Sequence, residues 1–377
     1  MINKIKTTAL LLGVFAGMCA YAQPKKVVSP ETMKKVYEEV KTPFKYGMVV
    51  VPEDNSKKVD CPSVFRKGNG WYMTYIIFNG RGYETWLASS PDLLHWKTQG
   101  RIMSFSDTTT WDNNQKAGYT ALQDMKWGGS YELQKYNGKY WMSYFGGHER
   151  GYEKGKLAIS IAYTTQDPSK PHEWTRLGHP VLTPEDKDVS WWDNHMQYKE
   201  TVIWDKSKLT GHQFVMYYNA NGDSVDAKRG AERIGMATSD DMLHWKRFGT
   251  EPVLNHGPGI TGDPNVQKMG DLYVMFYFGA FWKTGASGVF NRFACSYDLV
   301  HWTDWTGQKL IESSENYDGM FAHKSFVVKW KGVVYHFYCA VNKADQRGIA
   351  VATSKDMGKS PVNFVDPPAN KRKAVGL

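Results

Sequence analysis

The sequence predicts an all-β fold: a five-bladed β-propeller of four-stranded antiparallel blades, with a short helical segment ahead of it. Three observations predict it. A Ser-x-Asp-Leu/Met-x-His-Trp pattern recurs along the 377 residues. An aromatic strand and then a small-residue strand precede each copy, and a tight turn opens each unit. The chain also carries 15 Trp, 22 Tyr and 17 Phe, the large side chains needed between wide sheet faces when blades stack around an axis.

The elements follow in order. Met1 to Ala22 reads as a secretory leader: Lys4 and Lys6, a short apolar run from Ala9 to Ala20, and the small-x-small site Ala20-Tyr21-Ala22. Export to the periplasm or the medium is the expectation, with lipid anchoring through Cys19 as the alternative. No later apolar run is long enough to span a membrane. Residues 23–58 read as a helical or extended segment, with a helix from Ser29-Pro30-Glu31 to Val40. The ring is expected over 59–366 and a basic tail over 367–377, where Lys371-Arg372-Lys373 reads as a solvated end. Cys61, Cys295 and Cys339 lie in apolar strand-like runs and read as buried free thiols.

Within the ring, strong copies of the repeat stand at Ser90 to Trp96, Ser239 to Trp245 and Ser296 to Trp302, with weaker ones at Thr165 to Trp174 and Ser354 to Met357. The aromatic strands are centred on Met73, Met142, Met216, Val274 and His336, after turns such as Gly68-Asn69-Gly70 and Asn137-Gly138. The repeat Trp reads as blade packing and the repeat His as a turn cap.

The innermost strands of a propeller begin around one mouth of the central channel. Four of those starts carry ionisable residues, which strand propensity disfavours: Asp60, Lys199-Glu200, Asp263 and His323-Lys324. The second blade offers Asp124 or Glu132. For Glu200 a salt bridge with Lys199 or Lys324, and for His323 a buried core histidine, are the structural alternatives. Other chemistries lack their signatures. There is no phosphate loop or dinucleotide fingerprint, Gly285-Ala286-Ser287 does not continue into a nucleophile elbow, and His148-Glu149 lacks the second His of a zinc helix. Lys and Arg number 47 against 38 Asp and Glu, a basic excess without the clustering that nucleic-acid binding requires.

The repeat, together with the strand starts Asp60-Cys61-Pro62 and Gly262-Asp263-Pro264, resembles the five-bladed propeller glycosidases of families 43, 32, 62 and 117 and the family 130 phosphorylases, over nearly all of Val59 to Ser354. The resemblance implies an exo-acting, inverting glycoside hydrolase for plant or algal oligosaccharides. It implies Asp60 as the base, Glu200 or His323 as the acid, and Asp263 orienting the acid or raising its pKa. In family 43 the fifth-blade His often holds a metal with water, so His323 is alternatively a metal ligand. No cofactor is required, though Ca2+ or another cation in the central channel fits the family. Arg81, Trp127, Trp192, His195, Lys324 and Arg347 are the expected sugar-binding groups, through stacking and bidentate hydrogen bonds. The expected partner is an oligosaccharide, with no nucleic acid, and the protein is a monomer or homodimer. The basic excess hints at an acidic or sulfated glycan. A phosphorylase and a non-catalytic glycan-binding propeller are the alternative functions.

Overall fold

A computed structural model of the protein describes residues 27–107, 109–222 and 230–365. The expected leader with Cys19 and the basic tail at 367–377 lie outside these residues. After helix α1 (Pro30–Val40) and strand β1 (Phe44–Val50), five sheets follow in chain order. The first contains β2 (Lys58–Lys67), β3 (Gly70–Phe78), β4 (Tyr83–Ser90) and β5 (Lys97–Met103). The second contains β6 (Gln115–Thr120), β7 (Tyr140–Gly147), β8 (Ala158–Thr164) and β9 (Thr175–Arg176). The third contains β10 (Met196–Trp204), β11 (Phe214–Asn221), β12 (Arg233–Ser239) and β13 (Lys246–Arg247). The fourth contains β14 (Ile260–Met269), β15 (Leu272–Ala280), β16 (Val289–Ser296) and β17 (Thr303–Asp304), with β18 (Ile311–Glu312) also pairing with β16. The fifth contains β19 (Phe321–Trp330), β20 (Val333–Val341) and β21 (Arg347–Thr353), and its outer strand is β1. These are the five antiparallel blades of a propeller.

The ring closes by joining the two ends of the described chain. Phe44 pairs with Thr353 and Val50 with Ile349, so the last blade borrows its fourth strand from the segment ahead of the first. Closure of this kind ties the first and last blades together and covers an edge that would otherwise stand unpaired. α1 is capped by Ser29, whose Oγ accepts from Thr32 N at 3.2 Å, and Pro30 occupies its first turn. Its buried Met33, Val36 and Val40 join the core of the fourth and fifth blades.

The repeat is a turn with a fixed hydrogen-bond set. In the first copy Ser90 Oγ accepts from Leu93 N at 2.9 Å, and Asp92 Oδ1 accepts from Leu94 N and His95 N at 3.0 and 2.9 Å. His95 Nδ1 meets Asp92 Oδ2 at 2.7 Å, and Trp96 Nε1 donates to Leu93 O at 2.9 Å. The Ser239 and Ser296 copies repeat this set. The histidine therefore braces the aspartate that caps the turn. The Trp rings pack between blades: Trp96 meets Phe337 of the fifth blade edge-on at 5.8 Å, and Trp302 meets Tyr217 of the third at 5.6 Å. Cys61, Cys295 and Cys339 are free and buried. Among the described residues no helix is long and apolar enough to cross a membrane.

Candidate active site

Four inner strands carry the same irregularity. The pairing slips between Asp60 and Ser63, Tyr198 and Thr201, Gly262 and Asn265, and His323 and Phe326. In each bulge two residues oppose one, and the first of the two is left-handed without being glycine: Cys61 (φ 51°), Lys199 (φ 51°), Asp263 (φ 52°) and Lys324 (φ 61°). Such a conformation costs on the order of 1 kcal/mol or more for an L-residue. Four repetitions around one channel mark the place where the strands are bent to aim side chains. The ionisable residues are staggered across the bulge: Asp60 and His323 stand just before it, Lys199, Asp263 and Lys324 at its first, left-handed position, and Glu200 at its second. Glu200 and Asp263 line an inner space and His323 an outer one, while Lys199 and Lys324 reach both.

The inner space is a cavity of about 30 Å³, lined by Glu200, Asp263, Tyr119, Thr120, Ser63 and Asn265 among others. It has room for about one water. Glu200 is 2% exposed and neither of its carboxyl oxygens has a hydrogen-bond partner. Burial, reinforced by Asp263, pushes its pKa well above the carboxylate range, so it is held protonated. Asp263 is also buried with Oδ2 unpartnered, and burial raises it to about 6 against the lowering influence of Lys199 and Lys324. Its backbone N–H donates to Asn219 Oδ1 at 2.8 Å. The carboxamide of Asn219 sits 2.1 Å from where a Cβ on Gly262 would lie, so only glycine fits before Asp263.

The outer space is an open cleft of about 150 Å³. The starts of the inner strands and the connections between second and third strands of several blades build it. One side is ionic, with Tyr152, Glu153, Lys199, Glu232, Lys324 and Arg347; the other is apolar, with Ile260, Phe278, Phe281 and Phe321, and His323 stands between them. Beneath the ionic side lies Asp60, 1% exposed. Its Oδ2 accepts from Lys324 Nζ at 2.6 Å and Tyr152 Oη at 3.1 Å, with Arg347 Nη1 at 3.6 Å. Burial alone would raise this carboxyl; Lys324, His323 and Arg347 reverse that and hold it well below the usual range. Arg347 Nη1 also donates to Tyr152 Oη at 2.6 Å. Asp60 thus anchors three groups that face the cleft.

Glu153 accepts from Lys199 Nζ at 3.0 Å and from Tyr83 Oη at 3.4 Å, and its own backbone is left-handed at φ 48°. Burial would raise its pKa, but Lys199 and then Lys324 lower it, so the carboxylate stays ionised. Glu232 is half-buried and accepts from Asn219 Nδ2 at 3.2 Å. Lys199 is drawn on by both carboxylates, and its pKa rises despite burial.

His323 Nδ1 lies 3.2 Å from Cys339 O, which makes Nδ1 the protonated nitrogen and leaves the Nε2 lone pair free. Burial and the Lys324 charge push its pKa down to about 3. The ring is therefore neutral near pH 7 and has no imidazolium proton to donate. As a metal site the surroundings do not fit. Among the described residues no three His, Cys, Asp or Glu side chains converge to hold an ion, and buried Lys199 and Lys324 ammonium groups stand on the same cleft.

The structure places the remaining sequence-expected groups as follows. Lys324 and Arg347 line the cleft. Arg81 donates to Asn114 Oδ1 at 2.7 Å and to Ser106 O at 3.2 Å, bracing loops beside the first two blades. Trp127 does not face this mouth. It lies at the far end of the inner strands, where its backbone pairs with Lys268, its ring stacks on Phe276 at 6.1 Å and its Nε1 donates to Glu39 of α1 at 2.8 Å. Trp192 is packing too: it is buried, donates to Thr250 O at 3.0 Å, stacks on Tyr218 at 5.7 Å and covers Gly235. His195 is half-buried just before β10, held there by its backbone N–H on Asn221 O at 3.2 Å. Tyr152, Glu153 and Glu232 were not among the expected groups. Their signal was position: they lie in connections that follow an aromatic strand, on the same mouth as the inner-strand starts.

No protein-family model matches this sequence, and no curated protein does. Solved structures match closely. One described as a glycoside hydrolase and one described as a complex of BT0996 with RGII are each 54% identical to it, with a TM-score of 0.87, covering 91% of this protein and 100% of their own length. More distant are a thermostable family-43 glycoside hydrolase (16% identity, TM-score 0.56, covering 85% of this protein and 98% of its own length) and an endo-arabinase from Bacteroides thetaiotaomicron VPI-5482 (15%, 0.54, 83% and 99%); these share the fold. The close pair, read with a propeller whose mouth gathers ionised and neutral carboxyl groups, establishes that this protein belongs to the propeller-type glycoside hydrolases.

Proposed function

We propose that the protein is an exported, exo-acting glycoside hydrolase that binds the terminal sugar of a plant or algal oligosaccharide in the outer cleft and cleaves its bond between Glu153 and Glu232. The observation that carries this is the division of the carboxyl groups between two spaces. Glu153 and Glu232 line a cleft with room for about one sugar ring, whereas Glu200 and Asp263 line a cavity with room for a water. A cleft of that size favours a chain end over an internal stretch of glycan. Glycoside hydrolysis needs one carboxylate to attack or to activate water and one carboxylic acid to protonate the leaving oxygen. Glu153, ionised by Lys199, suits the first role, and Glu232 takes the second. Arg347, fixed on Asp60, supplies hydrogen-bond donors to sugar hydroxyls, and Tyr152, whose one proton goes to Asp60, can accept from them. The RGII in the complex of the 54% identical relative makes an RGII oligosaccharide the first substrate to test.

A second reading keeps Asp60 as base and Glu200 as acid, with inversion as the resemblance implies. The protonated state of Glu200, which an acid must have, favours it. The test is hydrolysis by the Glu153→Gln, Glu232→Gln and Glu200→Gln proteins, with the product anomer followed by NMR to read the stereochemical course. The first reading predicts loss in the first two and retention in the third; the second predicts the reverse.

A further inference from the structure

The apolar side of the cleft is a hydrophobic cluster of its own, separate from the blade cores. Phe278, Ala280 and Val289 form it, with Ile260 and Phe321 packed against it. Its uncovered face opens on the same cleft as Glu153 and Glu232. Phe281 stands at its rim, 54% exposed, in a left-handed conformation (φ 57°) that a bulky residue rarely adopts. Its neighbour Trp282 turns inward, stacked on His256 at 3.8 Å. The backbone is therefore twisted to send one aromatic ring out and the next in.

The rings do not form a flat platform. Phe281 and Phe321 meet at 82° with centroids 6.0 Å apart, Phe321 and His323 at 60°, and Phe278 and His323 at 83°. Perpendicular rings make a corner, which suits a compact apolar group better than the face of a sugar ring. Apart from the His323 ring at its edge, the corner offers a hydroxyl little to bond. The Ile260 carbonyl accepts from Trp282 Nε1 at 2.7 Å, and the Phe281 N–H donates to Gly288 O at 3.1 Å. A hydroxyl placed there would leave water without a replacement partner.

We infer that this corner is a specificity pocket for a methyl-terminated substituent of the glycan, either the methyl of a 6-deoxy sugar or that of an O-acetyl ester, with Phe281 as its outer wall. The inference rests on the proposed placement of the sugar in the outer cleft. Its test does not depend on turnover. Binding of free sugars to the intact protein is measured by calorimetry and by saturation-transfer NMR, using pairs that differ at one position: L-rhamnose and L-mannose, L-fucose and L-galactose, and 6-O-acetyl-D-galactose and D-galactose. Burial of one methyl predicts a preference of about fourfold or more for the methyl-bearing member of at least one pair, with strongest saturation transfer at that methyl. Preference in a deoxy pair assigns a deoxy sugar, and preference in the acetyl pair assigns an ester. Phe281→Ala, a change at an exposed side chain, should bring the ratio towards one by weakening the methyl-bearing member more than the hydroxyl-bearing one. Equal or undetectable binding within all three pairs, or a preference that survives Phe281→Ala, overturns the inference. Glu153→Gln separates it from the catalytic reading, because that protein should keep the methyl preference even where hydrolysis is lost. Hydrolysis that persists in Glu153→Gln alongside an intact preference would count against the catalytic reading alone.

Discussion

Asp60 and Lys324 are a buried ion pair whose members have no other countercharge as close among the described residues. Removing one partner leaves the other charge uncompensated in the interior, which costs about 3–5 kcal/mol. Asp60→Asn is therefore expected to lower the unfolding free energy by that amount in denaturant titrations, and adding Lys324→Met should recover much of it. Lys199 acts on Glu153 in the opposite sense to burial. Lys199→Met removes the cation, so the carboxylate pKa rises and the acid limb of the kcat/KM profile moves to higher pH; an unmoved limb would separate Glu153 from the titrating base. Asp263 has a folded pKa of about 6, raised above its usual 3.8. Its protonated form is favoured by folding, so its stabilisation is complete below pH ~4 and is lost as pH rises to ~6. Asp263→Asn should flatten that part of the stability-pH curve, by roughly 1–3 kcal/mol. Asp60 and Lys324 were legible because charge is improbable at such strand positions, and Arg347 because its guanidinium suits sugar binding. Glu153 and Glu232 were not, because charged residues are ordinary in connections and the left-handed turn that aims Glu153 leaves no mark in the sequence.

At the scale of elements, the Ser-Asp-His-Trp turn was legible because its residues do local work. Asp241 Oδ1 accepts from the backbone N–H groups of Leu243 and His244 at 2.9 and 2.8 Å, while the exposed His244 ring meets that aspartate at 2.7 Å. Asp241→Ala should cost about 1–2 kcal/mol in thermal or chemical unfolding, and His244→Ala less than about 0.5. An equal cost for the two would mean that the histidine is more than a brace. The bulges were less legible. The four inner strands were expected to present their ionisable residues together, but a bulge inserts an extra residue, and neighbouring positions then face different spaces. Asp60 and Glu200 both reach the channel mouth, yet one lies under the cleft and the other in the inner cavity. Trp127 and Trp192 were misplaced for a related reason: composition does not say which end of a blade a connection occupies, and both rings found backbone and aromatic partners in the scaffold.

The whole molecule depends on closure by β1. The last repeat ends at Met357 without the His-Trp strand that completes three other copies, so the deficit was visible in the sequence, but the donor strand, some 300 residues upstream, was not. Met48 and Val50 pair there with Ala350 and Ile349, and Ser360 N donates back to Tyr46 O at 2.8 Å. A truncated protein starting at Val51 should lose the cooperative thermal transition that one starting at Gln23 shows. Chelation is expected to change neither melting temperature nor rate, because among the described residues no three His, Cys, Asp or Glu side chains converge to hold an ion. The division of carboxyl groups between cleft and cavity remains the centre of the account, and steady-state hydrolysis of an RGII oligosaccharide by the three Glu→Gln proteins tests it most directly. Glu153→Gln and Glu232→Gln should each lower kcat by about 10²–10⁴, while Glu200→Gln, which replaces an already neutral group with one of the same shape, stays within a few-fold of the parent. Near-parental hydrolysis by Glu153→Gln and Glu232→Gln, with collapse in Glu200→Gln, would contradict it.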